Sequence, residues 1–86
     1  MNFLETSRFK RAYKSLPQEA KERVKTSLRM LAVNPRHPSL NVKKIKGAKD
    51  IWEARAGLDY RITFQIVRDY FILRNVGRHD SALKNP

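Results

Sequence analysis

Trp52-Glu53-Ala54-Arg55-Ala56-Gly57-Leu58-Asp59-Tyr60-Arg61-Ile62-Thr63-Phe64 alternates apolar and polar residues on both sides of a glycine. Strands send successive side chains to opposite faces, so this pattern predicts a hairpin with one dry and one wet face. Trp52, Ala54 and Ala56 share a face with Tyr60, Ile62, Phe64 and Ile66 only if residue 56 lies opposite residue 60. That register leaves Gly57-Leu58-Asp59 as a three-residue turn. It also sets Arg55 opposite Arg61 on the wet face, where like charges repel unless something anionic lies between them. A phosphate group would meet that need.

Composition agrees with an anionic partner. The chain has 86 residues, with 19 Lys and Arg against 8 Asp and Glu, for a net charge of +11. The excess is spread along the sequence, and a small basic domain of this kind has the electrostatic footprint of a polyanion binder. The length suits one domain, residues 1–86, with a modest core. Without cysteine there can be no disulfide, thiol nucleophile or zinc ribbon, and His37 and His79 alone do not make a metal cage. No cofactor is expected. No apolar stretch reaches the ~20 residues of a membrane span, and the first residues lack the pattern of a signal peptide. A cytoplasmic protein with no membrane partner is the expectation.

The rest of the chain divides into a helical first part and a strand-rich remainder. Phe3 and Leu4 suit a short opening strand. Thr6 or Ser7 then caps a helix bearing Phe9, Ala12, Tyr13 and Leu16 on one stripe. Ser15-Leu16-Pro17-Gln18 reads as a capping box opening a longer helix with Ala20, Val24, Leu28 and Leu31 on one face, ended by Asn34-Pro35. Two prolines within residues 35–38 make a linker in which His37 has no assigned chemistry. Strands then follow over Val42–Lys46, Ile51–Ala56, Tyr60–Val67 and Tyr70–Val76, the last two joined at Arg68-Asp69. The fold class is α+β, with two N-terminal helices packed on one face of a small antiparallel sheet.

Tight pairing at Arg68-Asp69 predicts Phe64 opposite Leu73 and Thr63 opposite Arg74. The outer face would then carry Lys44, Lys46, Glu53, Arg55, Arg61 and Arg74. Any one of these is ordinary on the wet face of a one-sided sheet, whereas arginines on three adjacent strands suggest contacts to phosphates.

The helical pair, the Asn-Pro turn, Val42-x-x-Ile45-Lys46-Gly47, Trp52-x-x-Arg55-x-Gly57-x-x-Tyr60-Arg61-Ile62 and the closing Val76-Gly77-Arg78-His79-Asp80 resemble the RelE/ParE superfamily of bacterial and archaeal toxins. The resemblance runs from Phe3 to about Ala82. It implies a concave basic sheet surface, a cognate acidic antitoxin as partner and, in the RelE-like branch, entry into the ribosomal A site to cleave mRNA. Arg61 matches the family arginine at the scissile phosphate, and Arg55 a basic residue that helps activate the nucleophile. His79 falls where members carry a leaving-group arginine or a catalytic histidine. Glu53 stands where the ribosome-dependent prototype has a lysine, and Leu83 or Asn85 where an aromatic residue is frequent. The resemblance thus casts Arg55, Arg61 and His79 as catalytic, Glu53 as a candidate general base, and Lys44, Lys46, Arg74 and Arg78 as RNA-binding.

Metal-free RNA cleavage needs activation of a 2′-hydroxyl, cations around the phosphorane and an acid for the departing 5′-oxygen. Histidine is the side-chain type that titrates near neutrality. Against this stand a Glu53 that simply pairs with Arg55 and a His79 that simply bonds to Asp80. The alternatives to an mRNA endonuclease are a ParE-type inhibitor of DNA gyrase, and a basic binding module without catalysis.

Overall fold

Alternation over residues 52–64 does build a hairpin, and the remaining chain wraps around it. In the computed structural model, which describes residues 2–86, the elements are β1 (Asn2–Glu5), α1 (Ser7–Lys14), α2 (Gln18–Val33), a 3-10 turn (Pro38–Leu40), β2 (Lys43–Lys44), β3 (Trp52–Ala56), β4 (Tyr60–Val67), β5 (Tyr70–Arg78) and α3 (His79–Lys84). They form one five-stranded sheet in the order β1-β5-β4-β3-β2. The β3–β4 register places Ala56 opposite Tyr60, Arg55 opposite Arg61 and Trp52 opposite Phe64, as the glycine and the period of two predict. Gly57 has φ +77°, a left-handed conformation that glycine adopts without cost from a side chain.

One face of the sheet is closed by α1 and α2. Phe9, Val24 and Leu31 from the helices meet Ala54, Ile62, Phe64, Phe71 and Leu73 from the strands in one buried cluster. Phe64 and Phe71 pack edge to face at 5.3 Å, and Phe3 lies 5.6 Å from Phe71. The helix starts differ from one another. Thr6 caps α1 by accepting from the Phe9 backbone N–H at 3.1 Å. The expected capping box for α2 does not form. Ser15 stays in right-handed helical geometry at the end of α1 and donates back to the Ala12 carbonyl at 2.9 Å, leaving Pro17 to open α2.

Three further expectations are corrected. The sheet is not wholly antiparallel, because β1 runs parallel to β5, with Phe3 opposite Phe71. The β4–β5 register runs as predicted from Val67 opposite Tyr70 to Phe64 opposite Leu73, but Thr63 then faces Asn75. Arg74 is the extra residue of a bulge, which Asn75 supports by accepting from the Val76 backbone N–H at 2.9 Å. Finally, the second face is not bare. The chain continues past β5 into α3, which packs on β4 and β5 and buries Ala82 completely.

Phe64 fills the centre of this core, so Phe64→Ala is expected to lower stability by about 3 to 5 kcal/mol in urea unfolding followed by circular dichroism. A loss below about 1 kcal/mol would mean that the hairpin faces are reversed.

Candidate functional site around the Gly57–Asp59 turn

Glu53, Arg61 and Thr63 occupy the outer face by register, yet all three are buried, Glu53 to 6% and Arg61 to 7% exposure. Glu53 therefore does not sit in solvent beside Arg55. Its Oε1 lies 3.7 Å from Arg61 Nε, forming a buried ion pair across the hairpin. The other end of the Arg61 side chain turns back on its own strand. Nη1 donates to the carbonyls of Tyr60 at 2.8 Å, Leu58 at 3.1 Å and Gly57 at 3.5 Å. Burial lowers the Arg61 pKa from the ordinary arginine value and the Arg55 charge adds to that, while Glu53 and Asp59 pull the other way. The acid that offsets the opposed arginines is thus internal.

The same turn gathers the other two predicted catalytic residues. Arg55 is exposed and lines, with Gly57 and Leu58, a groove of about 720 Å³ closed on its far side by α2 residues such as Arg23, Ser27 and Met30. His79 is the first residue of α3, and its backbone N–H donates to the Asp59 carbonyl at 2.7 Å. Its ring is half-exposed, with Nδ1 3.0 Å from Asp80 Oδ1. It shares a cleft of about 320 Å³ with Leu58, Asp59 and Arg78. The turn is therefore a ridge with Arg55 on one flank, Arg78 and His79 on the other, and the Arg61 guanidinium bonded to its carbonyls.

Predicted RNA-binding residues divide. Arg78 is exposed beside His79, with its guanidinium 5.8 Å from the centre of the Tyr60 ring. Arg74 sits half-buried at the bulge, bonded to Gln65 at 2.9 Å. Lys44 and Lys46 do not join them. Lys44 pairs with Trp52, on the face opposite to Glu53, and lies 5.4 Å from the Trp52 ring centre, whereas Lys43 takes the position across from Glu53. The two-residue β2 ends before Lys46, which is exposed in the following turn. Both lysines stand at the end of β3 away from the Gly57–Asp59 turn, about 13 Å along the strand. His37 acts locally, its Nδ1 accepting from the Ser39 backbone N–H at 3.2 Å and so capping the 3-10 turn.

Sequence reasoning missed Arg23 of α2. A Cβ added to Gly57 would come within 2.9 Å of Arg23 Nη1, so the glycine also makes room for this cation. Its only sequence signal is the spacing of an i, i+4 pair with Glu19, which forms at 2.9 Å.

The family described as ParE toxin of type II toxin-antitoxin system, parDE, matches residues 6–83. Several solved structures share the fold. The toxin-antitoxin complex RelB-RelE from Methanococcus jannaschii contains a chain 26% identical to this one, aligned over 96% of this chain and 99% of that one with a TM-score of 0.74. YafQ from E. coli strain BL21(DE3) is 13% identical over 93% of this chain and 94% of its own, with a TM-score of 0.78. The archaeal RelE-RelB complex from Pyrococcus horikoshii OT3 gives 21% identity, 90% and 92% coverage and a TM-score of 0.71. No curated protein sequence matches significantly.

Arg61 is expected to carry stability as well as charge. Arg61→Ala strands the buried Glu53 carboxylate, for a loss of about 3 kcal/mol or more, whereas Arg55→Ala on the exposed flank stays within about 0.5 kcal/mol. Urea midpoints of the two variants measure the contrast. Equal midpoints would show that the Glu53–Arg61 pair contributes nothing net.

Proposed function

The chain belongs to the ParE toxin family of type II toxin-antitoxin systems, and from that premise we propose that it is a toxin that cleaves mRNA in the ribosomal A site and is neutralised by a cognate acidic antitoxin. The observation that carries this reading is the meeting of Arg55, Arg61 and His79 at one three-residue turn. An exposed cation, a second cation fixed by the turn, and a group able to exchange a proton are what metal-free phosphodiester cleavage requires.

In this mechanism Arg55, exposed and without a carboxylate partner among the described residues, draws in the phosphate and lowers the cost of ionising the adjacent 2′-hydroxyl. The 2′-oxygen attacks phosphorus as its proton passes to solvent. Arg61, pre-set by the turn carbonyls and Glu53, contributes fixed positive charge beside the phosphorane without reorganising. His79 gives a proton to the departing 5′-oxygen, leaving a 2′,3′-cyclic phosphate and a 5′-hydroxyl. Glu53 serves as the counter-ion of Arg61, since a carboxylate 6% exposed and already paired is poorly placed to take a substrate proton.

A second reading, inhibition of DNA gyrase by binding alone, is favoured by the same burial of Arg61 and by the family description. Primer extension on cellular mRNA after induction separates the two: in-frame cuts accompany the nuclease, and intact mRNA with arrested replication accompanies the inhibitor. The +11 charge supports an acidic protein partner in either case. The solved RelB-RelE and DinJ-YafQ complexes pair such toxins with antitoxins.

On programmed ribosomes under single turnover, Arg55→Ala is expected to slow cleavage about 10²- to 10³-fold and His79→Ala about 10²- to 10⁴-fold, both with unchanged unfolding midpoints. Wild-type rates at saturation for both variants would sink the nuclease mechanism. Binding to ribosomes or RNA should weaken with salt, each neutralised phosphate on a single strand adding about −0.7 to the log-log slope. Salt-independent affinity would exclude the basic surface as the contact.

A further inference from the structure

Leu58 is 82% exposed, yet the turn that carries it is tied down at every carbonyl. Arg61 Nη1 donates to the carbonyls of Gly57 at 3.5 Å and Leu58 at 3.1 Å, and the His79 backbone N–H donates to that of Asp59 at 2.7 Å. The leucine side chain therefore projects into solvent from a fixed base. A single exposed leucine is ordinary on a protein surface. What sets this one apart is what flanks it. On one side it lines the groove of about 720 Å³ that holds Arg55, and on the other the cleft of about 320 Å³ that holds Arg78 and His79. A third cleft, of about 340 Å³, joins it to Arg23, Tyr60 and Arg78.

This placement constrains the path of a substrate. Arg55 and His79 open into different clefts with Leu58 between them, so a phosphodiester that meets both must cross the tip of the turn. The nucleotide on its 5′ side, which carries the attacking 2′-hydroxyl, then lies in the groove with Arg55. The nucleotide on its 3′ side, whose 5′-oxygen departs, lies in the cleft with His79. Both spaces fall within the roughly 300 to 1,000 Å³ of ordinary ligand sites. Bases parted across an apolar ridge cannot stack on each other, and leucine is among the side chains that proteins drive between base steps to unstack them. Attack requires the 2′-oxygen in line with the departing 5′-oxygen, a geometry that continuous stacking of the strand opposes. Cations alone do not supply that alignment.

We propose that Leu58 is a wedge that separates the two bases flanking the scissile phosphate and so positions the 2′-hydroxyl for in-line attack. Its chemical consequence rests on the nuclease reading above; the parting of two bases is a binding event that does not. As the bond from the 2′-oxygen to phosphorus forms and the bond from phosphorus to the 5′-oxygen breaks, Leu58 exchanges no proton and carries no charge. It touches bases and not reacting atoms, which makes it a positioning residue. The same arrangement explains why the turn is held so firmly, since a wedge on a mobile loop would yield to the stack it is meant to open.

The test uses ribosomes programmed with an mRNA whose A-site codon carries 2′-O-methyl groups, which block cleavage, and 2-aminopurine, whose fluorescence stacking quenches, at each codon position in turn. Binding of the wild-type chain is expected to raise the fluorescence at two neighbouring positions. Leu58→Ala is expected to lose that rise while its affinity for the same ribosomes changes by less than about threefold, because phosphate contacts carry most of the binding. On cleavable mRNA, under single turnover at saturation, Leu58→Ala should cut about 10²-fold more slowly. Leu58→Met, which keeps the apolar volume, should recover both the fluorescence and the rate. An equal rise with Leu58→Ala, or no rise with bound wild-type chain, would overturn the wedge. A wild-type chain that binds and unstacks the codon but leaves cleavable mRNA whole would remove the nuclease reading and leave the wedge standing.

Discussion

Register across the β3–β4 hairpin is the constraint on which the rest of the molecule depends. A slip of one residue would turn Ala54, Ile62 and Phe64 out of the core and bring Glu53, Arg61 and Thr63 in, because the side-chain period is two. What prevents the slip is the Gly57–Asp59 turn, and Arg61 helps to hold that turn through the Gly57 and Leu58 carbonyls. Asp59 in turn anchors the start of α3 through the His79 backbone N–H. Fold and candidate site share one set of bonds. A substitution at Arg61 therefore tests stability and chemistry at once, while Arg55 and His79 report chemistry more cleanly.

Charge balance around the turn follows from that register. Arg55 and Arg61 oppose each other on adjacent strands, and the sequence alone suggests that an external anion must separate them. The structure supplies Glu53, two residues before Arg55 on the same face, with its carboxylate 3.7 Å from Arg61 Nε. Burial makes the pair costly to form and costlier to break, since either partner alone would be a desolvated charge. The arrangement leaves an asymmetry: Arg61 is neutralised and fixed, while Arg55 is exposed. An incoming phosphate meets one cation available to draw it in and one already positioned, which is preorganisation in the electrostatic sense.

Much of this was legible because it follows from local rules. Alternation about Gly57 yields the register and the three-residue turn, and the 3.6-residue stripe of Phe9, Ala12 and Tyr13 yields the packing face of α1. The RelE/ParE resemblance yields the fold class. What escaped prediction has a weak local signature or none. A bulge at Arg74 shows in the sequence only as two consecutive polar residues, Arg74-Asn75, with polar Asn75 where alternation from Leu73 requires an inward apolar residue, and α3 has six residues with one fully buried, too few for a periodic signal. β2 has only two residues, so parity counted from Ile45 misplaced Lys44. Ser15-Leu16-Pro17-Gln18 has the letters of a capping box, but α1 had already taken Ser15 into its own last turn.

The bulge has consequences on both sides of the sheet. By inserting Arg74 it restores Asn75 and Val76 to the register that lets Val76 enter the core opposite Ile62, so the apolar face continues past the irregularity. On the other face it lifts Arg74 out of strict alternation, toward Gln65. At the edge it coincides with the point where β1 stops and α1 begins, which brings Arg8 to the same place. A regular strand would have set Arg74 opposite Thr63 as one more outward cation. The extra residue instead ties the Arg74 guanidinium to Gln65 Oε1 at 2.9 Å and offers the Arg74 carbonyl to Arg8 Nε at 3.2 Å, so the bulge fixes this part of the basic surface to the strand edge.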